Sequence, residues 1–321
     1  MTNLSFCVKY PFTQAAKEVI QKSEITITDT IIERAMERIA AALTEGKLSK
    51  SIPLHDSERL EEIAANATAR MILGQTKSRY LINKYAVAES KRASHYLEDE
   101  DEETIKQVAL DFKIETKKEG DKLIIPVYTY LKYAPRSIDY KLMNRELVGG
   151  QVKIKPREKI RIIEEAVRKH MEKIPLVKTP PQAIVTAAEK LNEMLPKLQP
   201  QEQTIPFNEA DLPPCIGRLI ESIKKHENLG HQARWYLAVY LLGSKMNFEE
   251  IVTLYSNLPD YNEKITRYQL EHAQKKGYAV PACATINTWG LCCAECKIGS
   301  PLNWKTLGKQ EKENLMKTGR R

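Results

Sequence analysis

The sequence predicts a mainly α-helical protein: a helical N-terminal domain with a small inserted α/β subdomain, followed by a helical C-terminal domain that holds a cysteine cluster. Three observations predict it. Apolar residues recur at helical spacing through most of the chain. The pattern becomes strand-like only between about residues 110 and 157. Proline-rich polar sequence places a boundary near residue 205, and 321 residues exceed one small core.

Residues 30–43 put Ile31, Ile32, Ala35, Met36, Ile39 and Leu43 on one helix face, with Asp29 or Thr28 as cap. A second helix is expected over 57–73 with Gly74 as its stop, and a third over 77–96. The acidic run 98–103 reads as a solvated helix start or loop. Residues 123–131 are rich in β-formers and follow the turn signal Glu119-Gly120-Asp121. Gly149-Gly150 then separates Leu147-Val148 from Val152-Lys153-Ile154, and helix resumes over 158–171. After Thr179-Pro180-Pro181, residues 195–201 read as an interdomain linker. Helices are expected beyond it over 216–225, 230–242, 247–256 and 262–274. The domains are therefore 1–204 and 205–308, with a mobile basic tail at 309–321.

Lys and Arg number 50 against 42 Asp and Glu, a formal charge of +8. This permits contact with phosphate without requiring it. No apolar run approaches the roughly 18 residues that span a bilayer, and the N-terminus lacks a signal-peptide pattern, so an intracellular protein with no membrane partner is expected. No Walker loop or Ser-His-Asp order appears. Asp99-Glu100-Asp101 has the Asp-x-Asp form of a polymerase but lies in the acidic run, so catalysis is not expected of this chain.

Five of the six cysteines fall in the last third: Cys215, Cys283, Cys292, Cys293 and Cys296. Cys7 stands apart and reads as a core residue. Thiols bunched on a turn, with a fourth from a distant helix start, can close one centre. Sulfur ligation suits tetrahedral zinc or an iron–sulfur cluster, and spacing alone leaves both open.

A series of separated motifs follows one order: Leu212-Pro213-Pro214-Cys215-Ile216, Gly230-His231-Gln232-Ala233-Arg234, Thr266-Arg267-Tyr268-Gln269-Leu270-Glu271-His272, Tyr278, Pro281-Ala282-Cys283, Gly290-Leu291-Cys292, Cys296 and Pro301-Leu302-Asn303-Trp304. Over residues 210–305 this resembles the C-terminal domain of the large subunit of archaeal and eukaryotic DNA primase. Trp304 stands where relatives more often hold Tyr. The N-terminal part resembles the family more diffusely, through Leu142-Met143-Asn144-Arg145-Glu146-Leu147 and Gly149-Gly150.

The resemblance implies a [4Fe-4S] cluster on Cys215, Cys283, Cys292 and Cys296, with Cys293 as alternative to Cys292 and zinc as the lesser choice. It implies a non-catalytic cytoplasmic protein, beside the nucleoid. Its partners would be the catalytic small subunit, template DNA and the initiating nucleotide, with room for a further accessory subunit. His231, Arg234, Arg267, Tyr268 and His272 fit such a site, since Arg pairs with phosphate and Tyr stacks on bases. Tyr268 and His272 also fit a helix core, and Trp235 and Tyr236 read as core. Tyr128, Tyr130, Tyr140, Leu142 and Leu147 are expected to dock the small subunit, against packing within the subdomain. Two other readings are kept: a zinc-stabilised nucleic-acid-binding module and an iron–sulfur DNA repair enzyme.

Overall fold

The computed structural model describes residues 3–174, 177, 179–198, 211–294 and 296–318. The chain divides into two compact units, one formed by 1–135 with 139–199 and the other by 200–321 with 136–138. The expected boundary at 205 lies outside the described residues.

The first unit opens with α1 (Leu4–Lys9), α2 (Gln14–Lys22), α3 (Asp29–Thr44), α4 (Asp56–Thr76), α5 (Arg79–Glu98) and α6 (Glu102–Asp111). Thr28 caps α3 by accepting from the Ile31 amide, and Asp101 caps α6 within the acidic run. The small sheet comprises β1 (Lys117–Glu119), β2 (Lys122–Pro126), β3 (Leu147–Val148) and β4 (Gln151–Ile154). Its order is β1-β2-β4-β3, antiparallel throughout. Leu123 faces Ile154 and Ile125 faces Val152, so alternate residues bury on one side as period two requires. Helices α7 (Val127–Tyr133), α8 (Pro156–Met171) and α9 (Gln182–Leu198) complete the unit. Helix α5 packs along α8, and α4 packs against α3 and α9. Cys7 is fully buried in this core.

Three expectations are corrected. The strand read over 123–131 ends at Pro126 and becomes α7. There Thr129, Tyr130 and Tyr133 are buried while Tyr128 and Leu131 are exposed, a helical rather than alternating pattern. Gly74 does not end α4; Lys77 does, in the left-handed conformation at φ 53°. A Cβ on Gly74 would lie 2.9 Å from Ile174, so this glycine permits close packing. The linker read over 195–201 begins inside α9, its remainder lying outside the described residues. The tail forms α15 (Lys309–Thr318), with Lys312 paired to Asp211; Arg320 and Arg321 lie outside the described residues.

The second unit contains α10 (Pro214–Lys224), α11 (His231–Gly243), α12 (Phe248–Tyr255), α13 (Glu263–Lys276), α14 (Cys283–Thr288) and a 3₁₀ segment at Pro301–Thr306, before α15. Ile216, Leu219, Ile220 and Ile223 of α10 bury against Tyr236, Leu237, Tyr240 and Leu241 of α11. Among the described residues no helix is long and apolar enough to cross a membrane.

A charge network runs through the first core. Glu89 is fully buried and accepts from Arg38 at 2.8 Å and Arg92 at 3.2 Å. Burial alone would raise its pKa, but the two guanidinium groups hold it below the ordinary carboxylate value. Glu89→Gln would strip Arg92 of its carboxylate and leave Arg38 with Glu62 alone, and removing one partner of such a network costs about 3 kcal/mol or more. Urea unfolding of the variant is expected to show that loss, and stability within about 1 kcal/mol of the parent would count against it. A second prediction concerns His170, whose pKa burial lowers from 6.5 to about 4, with Arg70, Lys17 and Lys173 adding to the effect. Above pH 6.5 both folded and unfolded states are neutral. Below it the unfolded chain takes a proton that the folded chain refuses, so stability falls between about pH 6.5 and 4, by at most about 1.4 kcal/mol per unit. Urea midpoints at about pH 7 and pH 5 are expected to lie closer together in His170→Gln than in the parent.

Candidate functional site

Two cavities of the second unit hold the expected site residues. The first, about 360 Å³, is lined by Cys215, Cys283, Cys292 and Cys296. Cys215 is the second residue of α10, behind Pro213 and Pro214. Proline suits this first turn because it has no amide to leave unbonded. Cys283 opens α14, and its amide donates to the Gly299 carbonyl at 2.9 Å. Gly290, at φ 63°, turns the chain back after α14. The Leu291 amide bonds to Ile286 O at 3.0 Å, and Arg218 of α10 donates to Leu291 O at 2.7 Å. These bonds present Cys292 and Cys296 to the cavity.

Cys293 is not among the cavity-lining residues and lies where Arg218 acts on it electrostatically. Burial pushes the Cys215 thiol up to about 11, against a 3.2 Å hydrogen bond with the Tyr236 hydroxyl. Cys296 is pushed up to about 11 by burial and by its cysteine neighbours, Cys215 foremost. Among the described residues no three His, Cys, Asp or Glu converge tightly enough to grip one metal ion.

The second cavity, about 250 Å³, lies between α11 and α13. His231, Arg234, Tyr268 and His272, four of the five expected nucleic-acid residues, line it. Tyr268 is 68 % exposed, so it is not a core aromatic. It stacks on His272 at 6.3 Å and 24°, and His272 Nε2 lies 3.4 Å from the Tyr278 hydroxyl. Arg234 is held on three sides. It donates to both Asp260 oxygens at 2.6 and 2.8 Å, to Leu229 O at 2.9 Å, and to Asn228.

Arg267 is outside the lining. It is turned to the surface, where it bonds Glu249 at 2.6 and 2.7 Å and Glu263 at 2.9 Å. These glutamates hold its proton more tightly than usual. Trp235, expected in the core, is half-buried in the cavity wall. It meets Tyr278 and Trp289 edge-on at 5.7 and 5.9 Å. Its apolar helical context hid this, since Tyr236 beside it is fully buried. Thr266 and Gln269 also line the cavity, and their i, i+3 spacing on α13 was the available signal.

In the first unit the expected partner residues divide. Tyr128 and Leu147 are 72 % and 49 % exposed. They share the subdomain's apolar surface residues with Leu131, Met143 and Val148. Tyr130 is fully buried and donates to the Tyr140 carbonyl at 2.8 Å, so it supports the subdomain instead of presenting itself. Tyr140 lies under the Arg145 guanidinium at 4.9 Å, and Leu142 is half-buried against the core.

Residues 206–318 match the family model for the C-terminal domain of the eukaryotic and archaeal DNA primase large subunit. The chain is 30 % identical to the DNA primase large subunit PriL of Methanocella arvoryzae, across 90 % of this chain and 84 % of that protein. Against PriL of Methanococcoides burtonii the identity is 30 %, across 89 % and 86 %. Against that of Haloarcula marismortui it is 29 %, across 88 % and 86 %. The similarity therefore spans both units, and the chain belongs to the family of archaeal DNA primase large subunits.

Proposed function

We propose that this chain is the non-catalytic subunit of a two-subunit primase, and that its second unit holds a [4Fe-4S] cluster beside a template and nucleotide site. The observation that carries this reading is that Cys215, Cys283, Cys292 and Cys296 line one cavity of about 360 Å³. That set joins a residue of α10 to three from the C-terminal segment. Four thiols around a space of this size suit a polynuclear centre, and thiolate is the usual ligand of iron–sulfur clusters. Zinc, the other sulfur-loving candidate, suits four sulfurs closing on a single ion. A bound cluster would supply positive charge to thiols that burial otherwise keeps protonated, and would tie α10 to the segment after α14.

The second cavity supplies recognition. Trp235, Tyr268 and Tyr278 offer ring faces and edges to a base or ribose, and stacking contributes about 1–3 kcal/mol per base. His231 and His272 offer ring N–H donors. Arg234, fixed by Asp260, presents an oriented guanidinium to a phosphate oxygen. Arg267, neutralised by Glu249 and Glu263, lies outside this cavity and contributes less. In this reading the polymerase carboxylates belong to the small subunit, and this chain contributes binding and orientation. The exposed apolar residues Tyr128, Leu131, Met143, Leu147 and Val148 suit the docking of that subunit, because interface cores are apolar and rich in aromatics.

Two outcomes are expected. Anaerobically purified full-length protein should be brown, with four irons and four sulfides per chain if the cluster is [4Fe-4S]. Cys215→Ser should lose most of that iron and melt earlier, whereas Cys293→Ser should retain it. Colourless protein with one zinc, or equal iron in both variants, would overturn the cluster assignment. In a complex reconstituted with the small subunit, Arg234→Ala should slow formation of the first dinucleotide by about tenfold or more, the loss of a charged hydrogen bond. Elongation of a preformed primer should change little, and Arg267→Ala should slow initiation less than Arg234→Ala. Equal losses in initiation and elongation would count against a site dedicated to initiation.

A further inference from the structure

We propose that the Tyr236 hydroxyl is a hydrogen-bond donor to the Cys215 sulfur that sets the reduction potential of the bound cluster and slows its oxidative loss. The inference rests on the cluster reading above. Tyr236 is fully buried in α11, and its hydroxyl lies 3.2 Å from Cys215 Sγ. Cys215 is itself only 9 % exposed. On the side away from the cavity the sulfur faces Tyr236, whose hydroxyl stands where a solvent hydrogen bond would otherwise be. The Ile216 amide, at the start of α10, acts on the same sulfur. A ligating cysteine is a thiolate and can only accept, so the tyrosine must donate.

A hydrogen bond to a ligating sulfur withdraws electron density from it. This stabilises the more reduced, more negative state of the cluster and raises its potential. It also makes the sulfur a poorer target for oxidants. Tyr236 is thus a positioning and tuning residue for Cys215, not a residue that touches nucleic acid. Phenylalanine would keep the ring packing among Ile216, Leu237 and Ile220 while deleting only the donor.

The test uses anaerobically purified full-length protein, parent and Tyr236→Phe. Iron content, visible absorbance, the potential by film voltammetry and the decay of absorbance in air are measured. The variant should fold alike by circular dichroism, show a more negative potential, and bleach faster in air. A variant that loads iron with unchanged potential and unchanged lifetime overturns the inference. A parent protein without iron sinks the cluster reading itself, which is a separate failure. If Tyr236→Phe loads no iron, 3-fluorotyrosine at position 236 decides the question. It is a stronger donor of nearly the same shape, so a shift to more positive potential supports the role and an unchanged potential refutes it.

Discussion

The second unit depends on how α10 begins. Pro213 and Pro214 set the first turn without sacrificing an amide bond, and Cys215 follows at once. The apolar stripe Ile216, Leu219, Ile220 and Ile223 then fixes the helix against α11, which leaves the sulfur at the edge of the core. The three other cysteines belong to a segment with little regular structure of its own. Between Cys283 and Thr306 its longest regular elements are the six residues of α14 and the six of the 3₁₀ turn. Few of its side chains are deeply buried, chiefly Ile286 and Trp304. Such a segment holds its place through hydrogen bonds to its backbone, such as the Cys283 amide to Gly299 O and the Arg218 side chain to Leu291 O, and a shared centre of the kind proposed would add to them.

The arrangement of charge changes what a net charge of +8 means for binding. Many of the basic side chains are already engaged. Arg38 and Arg92 neutralise a carboxylate inside the first core, where they cannot reach a ligand. Arg234 and Arg267 both carry carboxylate partners at the surface of the second unit. Phosphate arriving at either arginine would compete with an existing ion pair, so little of its attraction is gained from charge alone. In the proposed function, discrimination would then fall to the shape and aromatic lining of the cavity, where Trp235, Tyr268 and Tyr278 meet the two histidines.

Much of this was legible in the sequence, for a specific reason. Long amphipathic helices declare themselves by period, as α3, α8, α12 and α13 did. The cysteines drew attention because five of the six cluster in the last third, whereas Cys7 packs in the first core. What was hidden depends on tertiary contact. Residues 127–133 carry the β-branched and aromatic side chains of a strand, yet Tyr130 and Tyr133 fill a helical core face. Gly74 resembled a stop and proved to be the point where Ile174 comes close. Cys292 and Cys293 are adjacent, and that Cys292 is the one lining the cavity depends on the turn at Gly290, which spacing does not encode. Arg234 and Arg267 look equivalent as letters. One is at the start of a helix lining a cavity, and the other is on the outer face of α13.

Helix α11 lines the second cavity and reaches the first through the contact of Tyr236 with Cys215. Arg234, Trp235 and Tyr236 are consecutive on α11, and successive helix residues point about 100° apart. Tyr236 therefore meets Cys215 while Arg234 and Trp235 line the aromatic cavity. Trp289, between Cys283 and Cys292 in sequence, touches Trp235 from the other side. A close-packed helix does not deform continuously, so a shift of this turn at one cavity is felt at the other. A centre that fixes the sulfurs would thus fix the geometry of the nucleotide-side residues without touching them. The thiols' contribution to recognition would then be the position of one turn of α11, and not a contact of their own.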